Sequence, residues 1–341
     1  MAKKPIDTPA FTARMRAKIV RPETREILIS RLAGSDQEAD LTVPPNCDGL
    51  GRVRHFRRAT PDGWPLNPLP IDPAARALGR PGGDLARAQV FQNAACGWRC
   101  WYCFVPFEML TGNESLGAWM TADRLVSLYA AEHDRPDIID LSGGSPDLTP
   151  EWVIWMMDAL ENAGLTTSTY LWSDDNLSTD YVFTELTDAQ RDQLVGYPNY
   201  GRVCCFKGFD AESFAFNTGA RPDDFEAQFG RFGRYLDLGL DVYGYVTLTG
   251  ADLAAVTRGV PALLDRLQTL DPNLPLRLVP LSIGNFSPTQ EREARGGQHL
   301  FEAAAPVQAA AIALWTTEME RRFPAEQLEL AIVDVPLRSR T

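Results

Sequence analysis

Three cysteines within eight positions are the residues of this chain best suited to chemistry. Cys96, Cys100 and Cys103 have the spacing C-x3-C-x2-C in the segment CGWRCWYCFVP. Their thiolates are soft ligands of the kind that bind zinc or an iron–sulfur cluster. Inside a cell such a group indicates a metal site before it indicates disulfides.

The number of ligands separates the two kinds of metal site. Structural zinc requires four ligands in a closed tetrahedron. No fourth cysteine lies close by in the sequence, and the only histidines are His55, His133 and His299. Three thiolates on a 4Fe–4S cluster would leave one iron open to another molecule. We therefore predict a 4Fe–4S cluster, with structural zinc and a trio of buried thiols as the alternatives.

The other three cysteines are Cys47, Cys204 and Cys205. Successive side chains of a strand face opposite sides, so only one of the adjacent pair can face a barrel interior. Lys207 should share the face of Cys205. We take Cys205 as a candidate redox or hydrogen-donating thiol, and a second cluster built from these three cysteines as the alternative.

Six short apolar runs must position these residues. They cover 88–95, 137–144, 167–175, 201–208, 241–250 and 275–284. The runs are rich in β-branched and aromatic residues, and most end in Gly, Ser or Asp, as buried parallel strands do. Their alternation with helical patterns predicts an α/β fold with a parallel sheet. In such sheets the chemistry lies at the carboxyl ends of the strands, and the three cysteines directly follow the first run.

The chain divides into three expected segments. Helix candidates begin at Thr121 and Thr149 and span 222–239, 251–270 and 306–323. Residues 1–87 are rich in Pro, Gly and Arg and are expected to form an irregular extension on the core. Residues 88–290 would form the core barrel, and residues 291–341 an extra C-terminal helix and tail.

Composition sets the broad class of protein. The 341 residues are 45% hydrophobic and 23% charged, as in ordinary globular proteins. A net charge of −12 argues against broad nucleic-acid binding, although the basic stretch 51–58 could contact phosphate or form a solvated arm. The sequence has no apolar run of transmembrane length and no signal-peptide pattern at its start, so a cytoplasmic protein is expected.

With these residues in view, the chain resembles the radical S-adenosylmethionine (SAM) superfamily. The resemblance rests on the cysteine spacing, on Tyr102 just before the last cysteine, and on the place of both after the first strand. It implies a partial (β/α)6 TIM-like barrel whose three cysteines hold a 4Fe–4S cluster with SAM on the open iron. It also implies that one electron, from a flavodoxin or ferredoxin-type reductant, cleaves SAM to methionine and a 5′-deoxyadenosyl radical.

A second segment extends the resemblance. Gly143, Gly144, Ser145 and Pro146 follow the second run and resemble the family's GGEP motif, which contacts the amino group of SAM. Glycines let the backbone approach a ligand closely. Ser145 departs from the usual glutamate. The family also places an aromatic residue near the adenine, and Tyr102 is the matching candidate.

Residues 205–250 resemble the pyruvate formate-lyase activating enzyme group. Lys207 matches the lysine that pairs with the SAM carboxylate, and Cys205 takes the place of an aspartate. Asp174 falls where the group has an acid near the ribose or a monovalent cation; the alternative is a solvated turn. Ser282 replaces the group's histidine, and the long extension also departs from these activators.

The sequence therefore predicts an enzyme that cleaves SAM reductively and abstracts hydrogen from a small metabolite or peptide. The departures make activation of a partner glycyl-radical enzyme the second choice. A non-catalytic 4Fe–4S electron-transfer or sensor protein is the third. The resemblance covers roughly residues 88–290.

Overall fold

Two β-sheets and twelve α-helices form the part of the chain that the computed structural model describes, residues 4–58, 68–297 and 299–337. The strands are β1 (Val20–Arg21), β2 (Glu26–Ser30), β3 (Gly51–Arg57), β4 (Leu85–Gln92), β5 (Gly117–Thr121), β6 (Ile138–Ser142), β7 (Tyr170–Asp175), β8 (Tyr200–Lys207), β9 (Val242–Thr247) and β10 (Leu278–Pro280). The helices are α1 (Thr8–Arg16), α2 (Ile71–Ala77), α3 (Ala122–Ala131), α4 (Pro150–Asn162), α5 (Tyr181–Thr184), α6 (Asp188–Gly196), α7 (Ala211–Thr218), α8 (Ala227–Leu238), α9 (Val256–Leu270), α10 (Ser287–Gly296), α11 (Leu300–Arg322) and α12 (Ala325–Leu328).

Seven of the strands form the main sheet, in the order β10-β9-β8-β7-β6-β4-β3. Six of them run parallel, and each is adjacent to the next one along the chain: β4, β6, β7, β8, β9 and β10. Helices lie in the chain between successive parallel strands, so the connections are βα units. The predicted partial (β/α)6 barrel is therefore confirmed.

The two faces of the main sheet bury different cores. Outward-facing side chains pack against the helices in one large apolar core. Inward-facing residues from both edges of the sheet, Phe56 and Val279, belong to a smaller core together with Trp172 and Tyr243. Because the two edges share one core, the sheet curls around its inner face.

The predicted strands correspond to the six parallel strands of the sheet, and two predicted helix starts are also confirmed. The side chain of Thr121 accepts a hydrogen bond from the backbone N–H of Arg124 (3.3 Å) at the start of α3. Pro150 is the first residue of α4, where its missing N–H costs nothing.

The predicted helix at 222–239 begins differently. Pro222–Phe225 forms a short 3-10 helix, and α8 follows it and ends before Gly239, whose φ is 83°. A further helix, α7, precedes this segment and was not predicted. It begins after Asp210, whose carboxylate accepts from the Ser213 N–H (2.7 Å).

The extension predicted to be irregular is in fact partly regular. It carries α1, α2 and β1–β3, and β3 pairs antiparallel with β4 as the edge of the main sheet. The strands β1 and β2 form a separate sheet with β5. The sequence pattern does not predict β3, because the side chains on its inward face are Arg52, Arg54 and Phe56, which do not give an apolar alternation.

The predicted C-terminal helix is present and begins earlier than expected, at Leu300. Its last residue, Arg322, donates to the carbonyl oxygen of Pro261 (3.2 Å) and to Gln268 Oε1 (2.7 Å), and so ties α11 to α9. In the described ranges, no helix combines the length and the apolar character needed to cross a membrane.

Candidate cofactor site at the barrel mouth

The loop after β4, residues 93–103 and here called the cysteine loop, places three thiols at the barrel mouth. Cys96 is buried, while Cys100 and Cys103 are half-buried, and all three are free. The thiols lie near enough for Cys96 to act on the pKa of both others. Burial raises the pKa of Cys100 to about 12, an effect that the charge of Lys207 opposes. Such thiols ionise when a cationic metal centre takes the place of the proton.

Backbone hydrogen bonds to α7 hold one side of the cysteine loop. The N–H of Arg99 donates to the carbonyl oxygen of Thr218 (3.0 Å), and the N–H of Trp101 donates to that of Asn217 (3.2 Å). Both acceptors belong to the last turn of α7, where carbonyl groups lack helical partners. The helix that follows β8 therefore fixes the loop that follows β4.

Arg292 of α10 holds the other side of the cysteine loop. Its guanidinium donates to the carbonyl oxygens of Trp101 (3.2 Å), Val105 (3.3 Å) and Cys103. It also packs over the ring of Phe107, 4.4 Å from the ring centre. Sequence reasoning did not find this residue, because nothing local to α10 indicates that it reaches the cysteines.

The donor set of the loop fits an iron–sulfur cluster. Across the described residues, no three His, Cys, Asp or Glu side chains are arranged so that they could hold a single metal ion. A 4Fe–4S cluster makes a different demand, since each thiolate binds its own iron. Three free thiols in one short loop meet that demand chemically.

The loop after β6, residues 143–146 and here called the glycine loop, lies directly against the cysteine loop. The side-chain amide of Asn93 donates to the carbonyl oxygen of Ser145 (3.0 Å) and accepts from the Ser145 N–H (3.0 Å). A Cβ on Gly144 would lie 1.8 Å from Asn93 Oδ1 and 2.4 Å from the Ala95 carbonyl oxygen. Gly143 has a φ of 92°. Both glycines are therefore required for this approach.

The side chain of Ser145 is fully buried beneath the two loops. Its hydroxyl donates to Asp147 Oδ1 (2.7 Å) and accepts from the amide of Asn176 (2.9 Å). The same amide lies 3.9 Å from the sulfur of Cys96. Sequence reasoning missed Asn176, although its place just beyond β7, two residues after Asp174, was a usable signal.

The last residue of the glycine loop starts a short turn. Pro146 begins the 3-10 helix Pro146–Leu148 and is buried. This turn positions Asp147, which accepts from the backbone N–H (3.1 Å) and the hydroxyl (2.6 Å) of Ser178. The loops after β6 and β7 are thereby joined.

Cys205 and Lys207 both point into the barrel from β8, as strand alternation predicts. Both are buried there, whereas Cys204 lies in the outer core. Burial alone would lower the pKa of Lys207, but Cys205, Tyr102 and the nearby cysteine loop raise it well above its ordinary value. Lys207 therefore presents a fixed positive charge to the mouth of the barrel.

The two aromatic residues of the cysteine loop have different surroundings. The hydroxyl of Tyr102 donates to Thr247 Oγ1 (3.3 Å) on β9, so this side chain reaches across the mouth. The indole N–H of Trp101 donates instead to Asn217 Oδ1 (3.2 Å), and its ring packs 5.8 Å from that of Phe216. Tyr102 is thus the aromatic residue that faces the interior.

Four charged side chains lie together in the interior: Arg52, Arg54, Asp140 and Asp174, here called the charge group. Arg54 donates to Asp140 Oδ2 (3.0 Å), and the hydroxyl of Ser142 donates to Asp174 Oδ2 (2.5 Å). Burial and the charge of Asp174 raise the pKa of Asp140 to about 7, against the effect of Arg54. The sequence indicated Asp174 here, and it offered the two arginines as part of a basic stretch that could contact phosphate or form a solvated arm.

The alternative second cluster finds no support in the described residues. Cys47 and Cys204 belong to the outer core, whereas Cys205 belongs to the inner one. The backbone N–H of Cys47 donates to Glu132 Oε1 (2.8 Å). His55 lies on the other face of β3 from the charge group, 3.4 Å from the hydroxyl of Thr42.

Comparison with known proteins identifies no family. No protein-family model matches the chain, and no curated protein matches it. Solved structures that match include Streptococcus suis SuiB bound to precursor peptide SuiA and SuiB bound to S-adenosylmethionine. Their sequence identities to this chain are 14% and 15%, and both TM-scores are 0.37. Each match covers 52% of this chain and 36% of the SuiB chain, so the similarity spans about a third of that protein.

Gly144→Ala should destabilise the protein, because the added methyl group meets Asn93 and a backbone carbonyl. Overpacking of this kind costs about 1–3 kcal/mol of unfolding free energy, which urea denaturation would measure. Gly196→Ala is the control, since its new Cβ would have no neighbour within 4 Å. Equal losses in the two variants would contradict the tight junction of the loops.

Asp140→Asn should change how stability depends on pH. The folded pKa of about 7 lies above the ordinary value of about 3.9. Between these two pKa values, Asp140 keeps its proton in the folded protein but has released it in the unfolded chain. The contribution of Asp140 to the free energy of unfolding therefore falls as the pH rises. The unfolding free energy of wild type relative to the variant should fall by up to about 1.4 kcal/mol per pH unit there. A flat difference between wild type and Asp140→Asn would refute the assignment.

Proposed function

We propose that this protein is a radical SAM enzyme in which Cys96, Cys100 and Cys103 bind a 4Fe–4S cluster. The observation that carries the proposal is the convergence of the cysteine loop, the glycine loop and Lys207 at one barrel mouth. The sequence resemblance to the superfamily supports the same assignment.

Different residues of the mouth are proposed to bind different groups of SAM. When bound, the cluster would supply the electron that splits SAM into methionine and a 5′-deoxyadenosyl radical. Lys207 is the proposed partner of the SAM carboxylate, because it is a buried cation facing the thiols. The backbone of Gly143 and Gly144 is the proposed contact of the amino group. Since the Ser145 hydroxyl is already engaged, that contact would not use its side chain.

Three inward-facing residues are assigned to the rest of SAM and to the substrate. Tyr102 reaches toward β9 and is the proposed neighbour of the adenine. Asp174 keeps one buried carboxylate oxygen without a hydrogen-bond partner among the described residues, and it is proposed to accept from a ribose hydroxyl or to bind a monovalent cation. Cys205, below Lys207 on the same strand face, is the proposed substrate-facing thiol.

The enclosed interior suits hydrogen abstraction from a small metabolite or peptide. Aromatic side chains of the inner core share the inward face with the charge group: Trp172 pairs with Asp140, and Tyr243 lies two strands from Asp174 in register. A dry pocket keeps a reactive radical from water and from side reactions. A flavodoxin or ferredoxin-type protein is the proposed electron donor.

The first test is anaerobic reconstitution with iron and sulfide, followed by SAM and dithionite. Wild type should bind iron and sulfide and release 5′-deoxyadenosine, measured by chromatography. The combined Cys96→Ala, Cys100→Ala and Cys103→Ala variant should do neither, because its ligands are gone. Cys204→Ala removes an outer-core thiol and should keep both properties.

The outcomes separate the candidate functions. A wild-type protein that assembles a 4Fe–4S cluster but leaves SAM intact would be an electron carrier rather than a SAM-cleaving enzyme. A wild-type protein that assembles no cluster would refute the proposal.

Lys207→Met should weaken SAM binding without preventing cluster assembly. The loss of one charge-assisted contact is expected to raise the Kd about tenfold to a hundredfold. Equilibrium dialysis of reconstituted protein against labelled SAM measures this change, and iron content shows that the cluster persists. Lys18→Met is the control, because Lys18 is exposed and its ammonium group donates to the carbonyl oxygen of Thr111 (3.0 Å). An unchanged Kd for Lys207→Met would remove Lys207 from the SAM site.

A further inference from the structure

Arg52 is a buried cation whose guanidinium has no hydrogen-bond partner in the described part of the chain. It is 7% exposed, and its Nε atom is fully buried. Its guanidinium lies over the ring of Phe104, 5.3 Å from the ring centre. A buried charge without a hydrogen-bonded partner is costly, so the position calls for an anionic group.

The neighbouring strands β6 and β7 carry unpartnered acceptors on the same inward face of the sheet. Asp140 Oδ1 and Asp174 Oδ1 are buried and accept no hydrogen bond from the described residues, although their second oxygens are engaged. Beside Arg52, the amide nitrogen of Gln92 is also unpartnered within the described ranges. Strands β3 and β4 therefore offer donors, and the next two strands of the sheet, β6 and β7, offer acceptors.

The strand register places the donor Arg52 close to the acceptor Asp140. Arg52 pairs with Val90, and Val90 pairs with Asp140. The two charged residues are therefore two strand spacings apart, about 10 Å between backbones. The long side chain of Arg52 occupies part of that distance, so a ligand that contacts both residues must carry its two polar ends close together. Phe104 directly follows Cys103, which puts this ligand beside the proposed cluster.

We infer that the barrel interior binds a zwitterionic amino acid, with its carboxylate on Arg52 and its ammonium group on Asp140, while Asp174 serves SAM. When both carboxylates are ionised, the charge group contains two cations and two anions, so a ligand without net charge leaves the interior neutral. A phosphate would bring excess negative charge next to two carboxylates. This inference rests on the proposed function and narrows its substrate to the amino-acid class.

The test uses reconstituted protein with SAM and the proteinogenic L-amino acids as probes, with binding read by saturation-transfer NMR. At least one free amino acid should bind. Its N-acetyl and carboxamide derivatives, which each lack one charge, should bind about tenfold more weakly. Arg52→Gln should weaken the binding of the free amino acid to a similar extent. Arg57→Gln, on the opposite face of β3, should leave the affinity unchanged.

A second variant protects the test against a folding defect in Arg52→Gln. Asp140→Asn should weaken the binding of the free amino acid and reduce its advantage over the N-acetyl derivative, because the partner of the ammonium group is lost. Circular dichroism and iron content establish that each variant is folded and loaded.

The inference and the proposed function fail in different ways. A protein that cleaves SAM but binds no amino acid, or binds blocked derivatives equally well, overturns the inference alone. If an amino acid binds through Arg52 but the protein does not cleave SAM, the result supports the amino-acid pocket and refutes the proposed function.

Discussion

Two hydrogen bonds from one side-chain amide join the cysteine loop to the glycine loop, and the candidate site depends on this junction. Asn93 is fully buried, and it pairs with both the N–H and the carbonyl of Ser145. Ser145 has other backbone partners as well, since its N–H also donates to the Ala95 carbonyl oxygen (2.8 Å) and its carbonyl also accepts from the Leu148 N–H (2.9 Å). Without the amide, one hydrogen bond instead of three would join the two loops at Ser145. The absence of a side chain at Gly144 is what allows the approach. The junction therefore selects both an asparagine after β4 and a glycine after β6.

The parallel register of the main sheet makes this junction available. Gln92 pairs with Ser142, so β4 and β6 end at the same level and their loops emerge side by side. The same register pairs Lys207 with Thr247, and Thr247 accepts the hydroxyl of Tyr102 from the cysteine loop. A slip of one residue in β8 would turn Lys207 into the outer core and bring an apolar side chain to the mouth. Sheet register thus decides which chemistry reaches the site.

Sequence reasoning located what is encoded locally. Six apolar runs gave the six parallel strands, and the alternation of β8 separated Cys204 from Cys205 and Lys207. The edge strand β3 escaped because its inward residues are charged, and only its pairing with β4 buries them. Arg292 contacts Cys103, far away in the sequence, and no local pattern indicates that contact. Asn176 lies near Cys96, and only its place just beyond β7 was a signal. The partners that hold the cysteine loop are therefore visible only in the folded chain.

Unpartnered polar atoms of the charge group connect stability to function. Within the described residues, Arg52 Nε, Asp140 Oδ1 and Asp174 Oδ1 are buried without hydrogen-bond partners, which lowers stability. The large outer core offsets that cost by burying apolar surface. A ligand that satisfied those atoms would therefore stabilise the fold. Because the Arg52 guanidinium lies over the ring of Phe104, which directly follows Cys103, such a ligand would also lie beside the cysteine loop.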